Sequence, residues 1–198
     1  VVVWTAIHVF TLWTCKHMVD TTLPTGGGSP RHAYWHGTVV QIGMLSLISM
    51  SWRQWVLRLG ASFDAWLREP MSSPILTWSR LFYYNLAAHF IKDMFAPMDM
   101  LIAAHHIGCI ITLIVQVHMV DIGSNACMLG CAIFELGSAA YNVHMLFPDS
   151  GVLMSTYIAS MSASNLLAVL LGLRWARMSL PRAARIFGLT VTFTLACV

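Results

Sequence analysis

The chain has 198 residues, of which 58% are apolar and only 10% are Asp, Glu, Lys or Arg, and its formal net charge is +3. A soluble domain carries roughly a quarter charged residues because its surface faces water. The composition therefore excludes a soluble enzyme, a nucleic-acid-binding domain and a disordered chain, and it predicts a polytopic membrane protein.

Apolar runs that are each long enough to cross a bilayer, which takes roughly twenty residues, recur along the chain. In order, they cover about 1–19, 34–52, 75–95, 98–120, 123–147 and 152–173, and a seventh starts near Ile186. No apolar–polar alternation extends over a segment of barrel length, which favours helices over a membrane β-barrel. We therefore expect an all-α transmembrane bundle of six to seven spans, forming one domain over 1–198 with incomplete termini.

Two polar segments interrupt the early runs. Residues 20–30 contain Pro24 and the glycines 26–28, without the Lys-Ser/Thr of a phosphate-binding loop, and are predicted to form a flexible turn. Residues 53–74 mix Trp, Leu and Phe with Arg, Asp and Glu. This mixture predicts an interfacial amphipathic segment in the headgroup region, with a helix packed on the bundle as the alternative.

Basic residues are concentrated in two loops on the same side of the predicted spans. These residues are Arg53, Arg58, Arg68, Arg174, Arg177, Arg182 and Arg185. The other side holds Arg31, with Lys16 and Lys92 near helix ends, where snorkelling to the surface accounts for a charge. Because Lys and Arg are retained on the cytoplasmic side, we expect loops 53–74 and 174–185 on the cytoplasmic, matrix or stromal side of the endoplasmic reticulum or an organellar inner membrane.

Polar residues with helical spacing lie inside three consecutive spans. The third span carries Asn85, His89 and Asp93, the fourth carries His105 and His106, and the fifth carries Glu135, Ser138 and Asn142. An ionisable group at membrane depth costs at least a few kcal/mol, so these stripes are expected to face a shared interior rather than lipid. The alternative for a histidine is a packing role with a bond to a neighbouring carbonyl, and for serine a small residue that lets helices approach.

The same residues resemble the TLC domain family, named for translocating-chain-associating proteins, longevity-assurance ceramide synthases and a ceroid lipofuscinosis protein. Its members typically have an aromatic-rich helix that ends in Asp, a His-His pair on the next helix, and a later Glu-Leu-Ser helix with a following Asn. Asp93, His105, His106, Glu135 and Asn142 occur in that order, and the Glu-to-Asn spacing is kept. The resemblance covers about 75–173.

The likeness is closer to the TLC proteins that are not ceramide synthases, because no second His-Asp motif follows His106. It implies a protein that binds or processes acyl lipids and, if it is an enzyme, an acyl-CoA-dependent acyltransferase without a further cofactor. In that case His105 or His106 would accept the proton of the attacking group or carry the acyl group, and Asp93 would orient the imidazole. The candidates for binding the substrate are Glu135, Asn142, His89, Asn85 and Ser138.

Two further hypotheses are open. One is a non-catalytic accessory subunit of a larger organellar membrane complex, since fold and function separate readily. The other is a histidine-ligated metal or tetrapyrrole site, suggested by His32 and His36 at His-x-x-x-His spacing. No metal ligand set is assigned, because adjacent helical histidines diverge too widely to hold one ion. The expected partners are membrane lipids and, under the subunit hypothesis, other membrane subunits, but no nucleic acid.

Overall fold

The structure, a computed structural model, describes residues 2–18, 25–26, 29–60, 62–73, 77–95, 100–178, 182, 185–186 and 188–190. The helices in these residues are α1 Val2–Met18, α2 Arg31–Leu59, α3 Phe63–Arg68, α4 Thr77–Asp93, α5 Met100–His118, α6 Ser124–Leu146 and α7 Gly151–Ala176. The described residues contain no strand, which confirms the predicted all-α class.

Three helices in the described part of the chain, α5, α6 and α7, are long and apolar enough to cross a membrane. They confirm the prediction of a helical membrane protein. α1, α2 and α4 coincide with further predicted runs, and the count of six to seven spans stays a prediction. Most of the seventh run, from Ile186, lies outside the described residues, as do Pro24, Gly27 and Gly28 of the predicted turn.

The segment predicted at 53–74 contributes to two helices and a turn. α2 runs through its first part and ends at Gly60, which takes a left-handed conformation with φ of 56°. α3 then starts after Ser62, whose hydroxyl caps the new helix by accepting a backbone N–H bond. The Trp66 and Leu67 side chains are fully buried in the bundle. The side of α3 that carries these two residues therefore packs on the other helices.

α6 is the central helix of the bundle. It packs most extensively on α7 and α2 and also contacts α3, α4 and α5. α2 packs in addition on α4, and α1 lies against α2 and α4. α5 lies mainly against α4. Inward-facing side chains from α1, α2, α4 and α6 are thereby brought into one interior.

Hydrogen bonds mark the two ends of this bundle. At one end, which we call the α3 end, Asn125 Nδ2 donates to the Trp66 carbonyl at 2.8 Å. Ser79 Oγ donates to Asn125 Oδ1 at 2.7 Å and lies 2.7 Å from Ser51 Oγ, so α2, α3, α4 and α6 are tied together. At the opposite end, the Arg31 end, Arg31 Nη1 donates to the last carbonyl of α6 at 2.9 Å. This bond satisfies a carbonyl that has no partner within its helix.

Candidate functional site

Three histidines from three helices meet inside the bundle. His8 of α1, His36 of α2 and His89 of α4 have exposed fractions of 4%, 0% and 4%. The ring centroid of His8 lies 5.5 Å from that of His36 and 5.8 Å from that of His89. The His36 and His89 rings are stacked with centroids 6.0 Å apart. We call this group the imidazole triangle.

The C-terminus of α4 adds an ion pair to the triangle. Lys92 Nζ lies 2.5 Å from Asp93 Oδ1 and 3.2 Å from His36 Nδ1. The second Asp93 oxygen, Oδ2, lies 3.5 Å from His89 Nε2. The Lys92 side chain is only 5% exposed, so the prediction that Lys92 snorkels to the surface is wrong. Its charge is retained in the bundle because Asp93 and His36 supply the partners that a buried ammonium needs.

The partners of the triangle determine which ring nitrogens carry hydrogen. The Lys92 ammonium can only donate, so His36 Nδ1 accepts from it and the neutral His36 ring carries its hydrogen on Nε2. The Asp93 carboxylate, 3.5 Å from His89 Nε2, can only accept, so we expect neutral His89 to carry its hydrogen on Nε2 and a lone pair on Nδ1. His36 Nε2 and His89 Nδ1 are both buried and have no hydrogen-bond partner in the described structure. The triangle therefore offers one free donor and one free acceptor.

The predicted stripe on α6 is joined to α2 through an amide. Gln41 Nε2 donates to Glu135 Oε2 at 2.9 Å, and Gln41 Oε1 accepts from Asn142 Nδ2 at 2.9 Å. Gln41 and Glu135 are buried, and Asn142 is half-buried. Gly37 permits this close approach, since a Cβ at that position would lie 2.6 Å from Asn142 Nδ2. Glu135 and Asn142 are thus held by protein groups at the α2–α6 contact.

The predicted catalytic pair lies on α5, next to the triangle but not in it. The centroid of the Phe90 ring lies 5.1 Å from that of His106. It also lies 5.9 Å from the ring centroid of His89 in the triangle. His105 Nε2 lies 3.6 Å from Cys109 Sγ of its own helix. The Nδ1 atoms of both histidines are buried without a hydrogen-bond partner among the described residues. Asp93, expected to orient one of these rings, forms its ion pairs within α4 instead.

The two remaining candidates differ in their surroundings. Asn85 Oδ1 lies 2.9 Å from His8 Nε2, so it holds one ring of the triangle and ties α4 to α1. Ser138 Oγ donates to the Phe134 carbonyl of its own helix at 3.5 Å. That contact is of the kind that a small packing residue makes.

Four residues of this interior were not among the predicted catalytic or substrate-binding residues: His8, His36, Gln41 and Lys92, of which His36 was named only for the metal alternative. The partner of His8, Asn85, is distant in sequence, so no local pattern marks His8 as a site residue. Lys92 sits at a helix end, where a surface position is the ordinary expectation. Gln41 could have been predicted from the sequence, because an amide in the middle of a predicted span needs a buried partner.

The described residues contain no group of three or more His, Cys, Asp or Glu side chains placed to hold a metal ion. Two apolar grooves open near the interior instead. One, between α5, α6 and α7, has a volume of about 70 Å³ and is lined by residues that include Gln116, Cys131 and Phe134. The other, of about 670 Å³, runs between α1 and α4 along Trp13 and Phe95. Both linings are apolar, and the second groove has the volume that an acyl chain requires.

The fold and the site together define an integral membrane protein of helical class with a polar interior. Comparison of the chain with protein families, with curated proteins and with solved structures finds no match. The resemblance to TLC proteins therefore depends on the residues of this sequence alone.

Proposed function

We propose that this chain is a TLC-type integral membrane protein that binds acyl lipids and transfers an acyl group from acyl-CoA with the help of an interior histidine. One observation carries the proposal: polar residues of α1, α2, α4 and α6 converge on one interior. Ionisable groups at membrane depth are expensive and cluster where a protein handles a polar substrate. A lipid with a polar head and an acyl chain matches a polar interior flanked by apolar grooves.

The chemistry available in this interior is proton transfer. Histidine is the side chain most often used as a general base. The Nδ1 atoms of His89 in the triangle and of His105 and His106 on α5 are buried without a partner among the described residues. The amide–carboxylate group formed by Gln41, Glu135 and Asn142 supplies hydrogen-bonding groups for a polar head.

One observation favours the alternative of a non-catalytic subunit in a larger membrane complex. Asp93 contacts both Lys92 and His89 within one turn of α4, so these polar groups are partnered inside one helix. A set of charges that is paired internally is also what a structural core of a membrane bundle contains. Under this alternative, the cluster fixes the helices of a scaffold and has no substrate.

The experiment that separates the two uses the full chain in nanodiscs. Bound lipids are extracted and identified by mass spectrometry, and consumption of [14C]palmitoyl-CoA is followed in the same preparation. Bound acyl lipid together with turnover above that of empty nanodiscs is expected. Stoichiometric co-migration with a large native complex, without bound acyl lipid or turnover, would favour the accessory subunit.

The His105→Ala/His106→Ala double variant tests the part assigned to α5. Because both rings lie beside Phe90 at the edge of the interior, we expect them to contact the acyl thioester. Their removal should raise the KM for palmitoyl-CoA about tenfold or more and lower kcat less. The exposed His17→Ala variant is the control. Unchanged KM and kcat in a folded double variant would remove the pair from the site.

A further inference from the structure

We infer that His89, oriented by Asp93, is the general base of this site, and that the group it activates is a hydroxyl of a lipid acceptor. The inference rests on the proposed acyl transfer and names its base and its substrate class. The sequence pattern alone points to His105 and His106 for this role, whereas the structure gives the carboxylate to His89.

His89 has the two features of an activated imidazole. One nitrogen, Nε2, faces the Asp93 carboxylate at 3.5 Å, and that carboxylate is itself fixed by Lys92 at 2.5 Å. The other nitrogen, Nδ1, is buried, carries the lone pair and has no partner among the described residues. An imidazole base that is held by a carboxylate in this way keeps one tautomer and one orientation. Catalytic hydrogen bonds are often long before substrate binds, which accommodates the 3.5 Å separation.

His36 determines which acceptor fits. Its free Nε2–H lies on a ring stacked against His89 with centroids 6.0 Å apart, and in this inference one small polar group must reach both partnerless nitrogens. A hydroxyl oxygen can accept the His36 hydrogen bond with one lone pair, give its proton to His89, and still attack with the second lone pair. A neutral amine has a single lone pair, which the His36 donor would occupy. The pair therefore selects an alcohol over an amine.

In this inference the acceptor reaches the pair past α1. Among the described residues of α1, only His8 is buried. Its ring forms a hydrogen bond with Asn85 of α4. The apolar groove between α1 and α4 runs along the outer side of these same helices, past Ile91 and Phe95, which flank Asp93 in sequence. In this inference an acyl chain lies in that groove, and α1 must move outward for the head group to reach the triangle.

The reaction step balances without a further reagent. His89 Nδ1 takes the proton of the acceptor hydroxyl as its oxygen bonds to the carbonyl carbon of the acyl thioester. The tetrahedral adduct then breaks its carbon–sulfur bond, and the protonated imidazole returns the proton to the departing thiolate. The products are an ester and the free thiol of CoA.

The test compares oleyl alcohol with oleylamine as acceptors of [14C]palmitate from palmitoyl-CoA, in nanodiscs, after subtraction of the rate in empty nanodiscs. The alcohol is expected to be acylated at least tenfold faster than the amine. His89→Gln should lower kcat by at least a hundredfold and leave the amount of co-purified lipid unchanged. His144→Gln is the matched control, because His144 is another buried histidine with a partnerless Nδ1 whose described ring contact is to Tyr157 and not to the triangle, and it should stay within twofold of wild type.

A second variant covers the case in which His89→Gln does not fold. Asp93→Asn, at the end of α4, should lower kcat about tenfold with an unchanged KM, and Asp93→Glu should restore part of the loss, because Asp93 acts by positioning the imidazole. Faster acylation of the amine, or wild-type kcat in folded His89→Gln and Asp93→Asn proteins, would overturn the inference while leaving acyl transfer intact. Absence of both lipid and turnover in the wild-type protein would instead overturn the proposed function, and the inference with it.

Discussion

At the residue scale, the interior is built from polar side chains that find partners on distant helices. Gln41 is the clearest case, because its single amide meets a carboxylate with its NH2 group and another amide with its oxygen. A buried acceptor or donor that loses its partner costs more than the bond itself contributed. The stability of the α2–α6 contact therefore depends on this residue.

Gln41→Leu is expected to destabilise the protein by about 1–3 kcal/mol, because it leaves Glu135 and Asn142 without partners. Gln54→Leu is the matched control on the same helix, since the Gln54 side-chain oxygen is already buried without a partner among the described residues. That change should be neutral or slightly stabilising. Thermal unfolding of both variants in detergent, followed by circular dichroism, measures the difference. Equal stability of the two variants would contradict the bridging role of Gln41.

At the element scale, the α6–α7 contact is set by a glycine. A Cβ at Gly137 would overlap the Ser164 hydroxyl and lie 3.3 Å from the Met161 Cα, so the two helices pack backbone to backbone. Such close approach at small residues is the usual way in which membrane helices associate. On the same helix, a Cβ at Gly130 would meet no described atom within 4 Å.

These two glycines give opposite predictions for the same substitution. Gly137→Ala should destabilise the bundle by about 1–3 kcal/mol, because α7 must move outward. Gly130→Ala should stabilise it by about 0.5–1 kcal/mol, because alanine loses less conformational freedom in a helix. The midpoints of thermal unfolding in one detergent provide the measurement. A Gly137→Ala protein as stable as wild type would show that α6 and α7 are not in this close contact.

The elements themselves could largely be predicted from the sequence. The apolar runs at 98–120, 123–147 and 152–173 correspond to α5, α6 and α7 within a few residues, since length and apolarity are properties of each segment alone. The continuation of α2 to Leu59 is not visible in the same way, because its last turns carry arginines and end the apolar run early. Tertiary contact of Trp66, which no local pattern encodes, is what holds α3 on the bundle.

The candidate site was predictable only where its residues repeat along one helix. Asn85, His89 and Asp93 share a face by spacing, and the structure gives all three a place in or beside the imidazole triangle. His8 and His36 belong to the same group through contacts between α1, α2 and α4, and such contacts leave no trace in the spacing of either helix. The partner of a buried charge depends on helix packing, which the sequence does not display.

At the scale of the whole molecule, the two ends of the bundle differ in charge. Arg68 and Arg174 both pair with Asp64 at the α3 end, where α3 meets the C-terminus of α7. These guanidinium groups hold the pKa of the exposed Asp64 carboxyl below its usual value through hydrogen bonds, from Arg174 first and Arg68 second. Arg80 also lies at this end, bonded to the carbonyls of Met71 and Ser73. One basic residue of each loop, Arg68 and Arg174, is thus brought to the same carboxylate.

This asymmetry predicts the orientation of the protein, because basic residues near span ends are retained on the cytoplasmic side. Arg177 follows α7 at the α3 end, and Asp149 lies in the turn before α7, so the two positions mark opposite ends of one predicted span, and both are exposed. In sealed microsomes with the cytoplasmic face outward, Arg177→Cys should react with a membrane-impermeant maleimide, and Asp149→Cys should react only after permeabilisation. The wild-type chain supplies the background, since its described cysteines lie within α1, α5 and α6. Labelling of Asp149→Cys alone in sealed microsomes would reverse the orientation and place the α3 end in the lumen, and labelling of both positions would show that α7 does not cross the membrane.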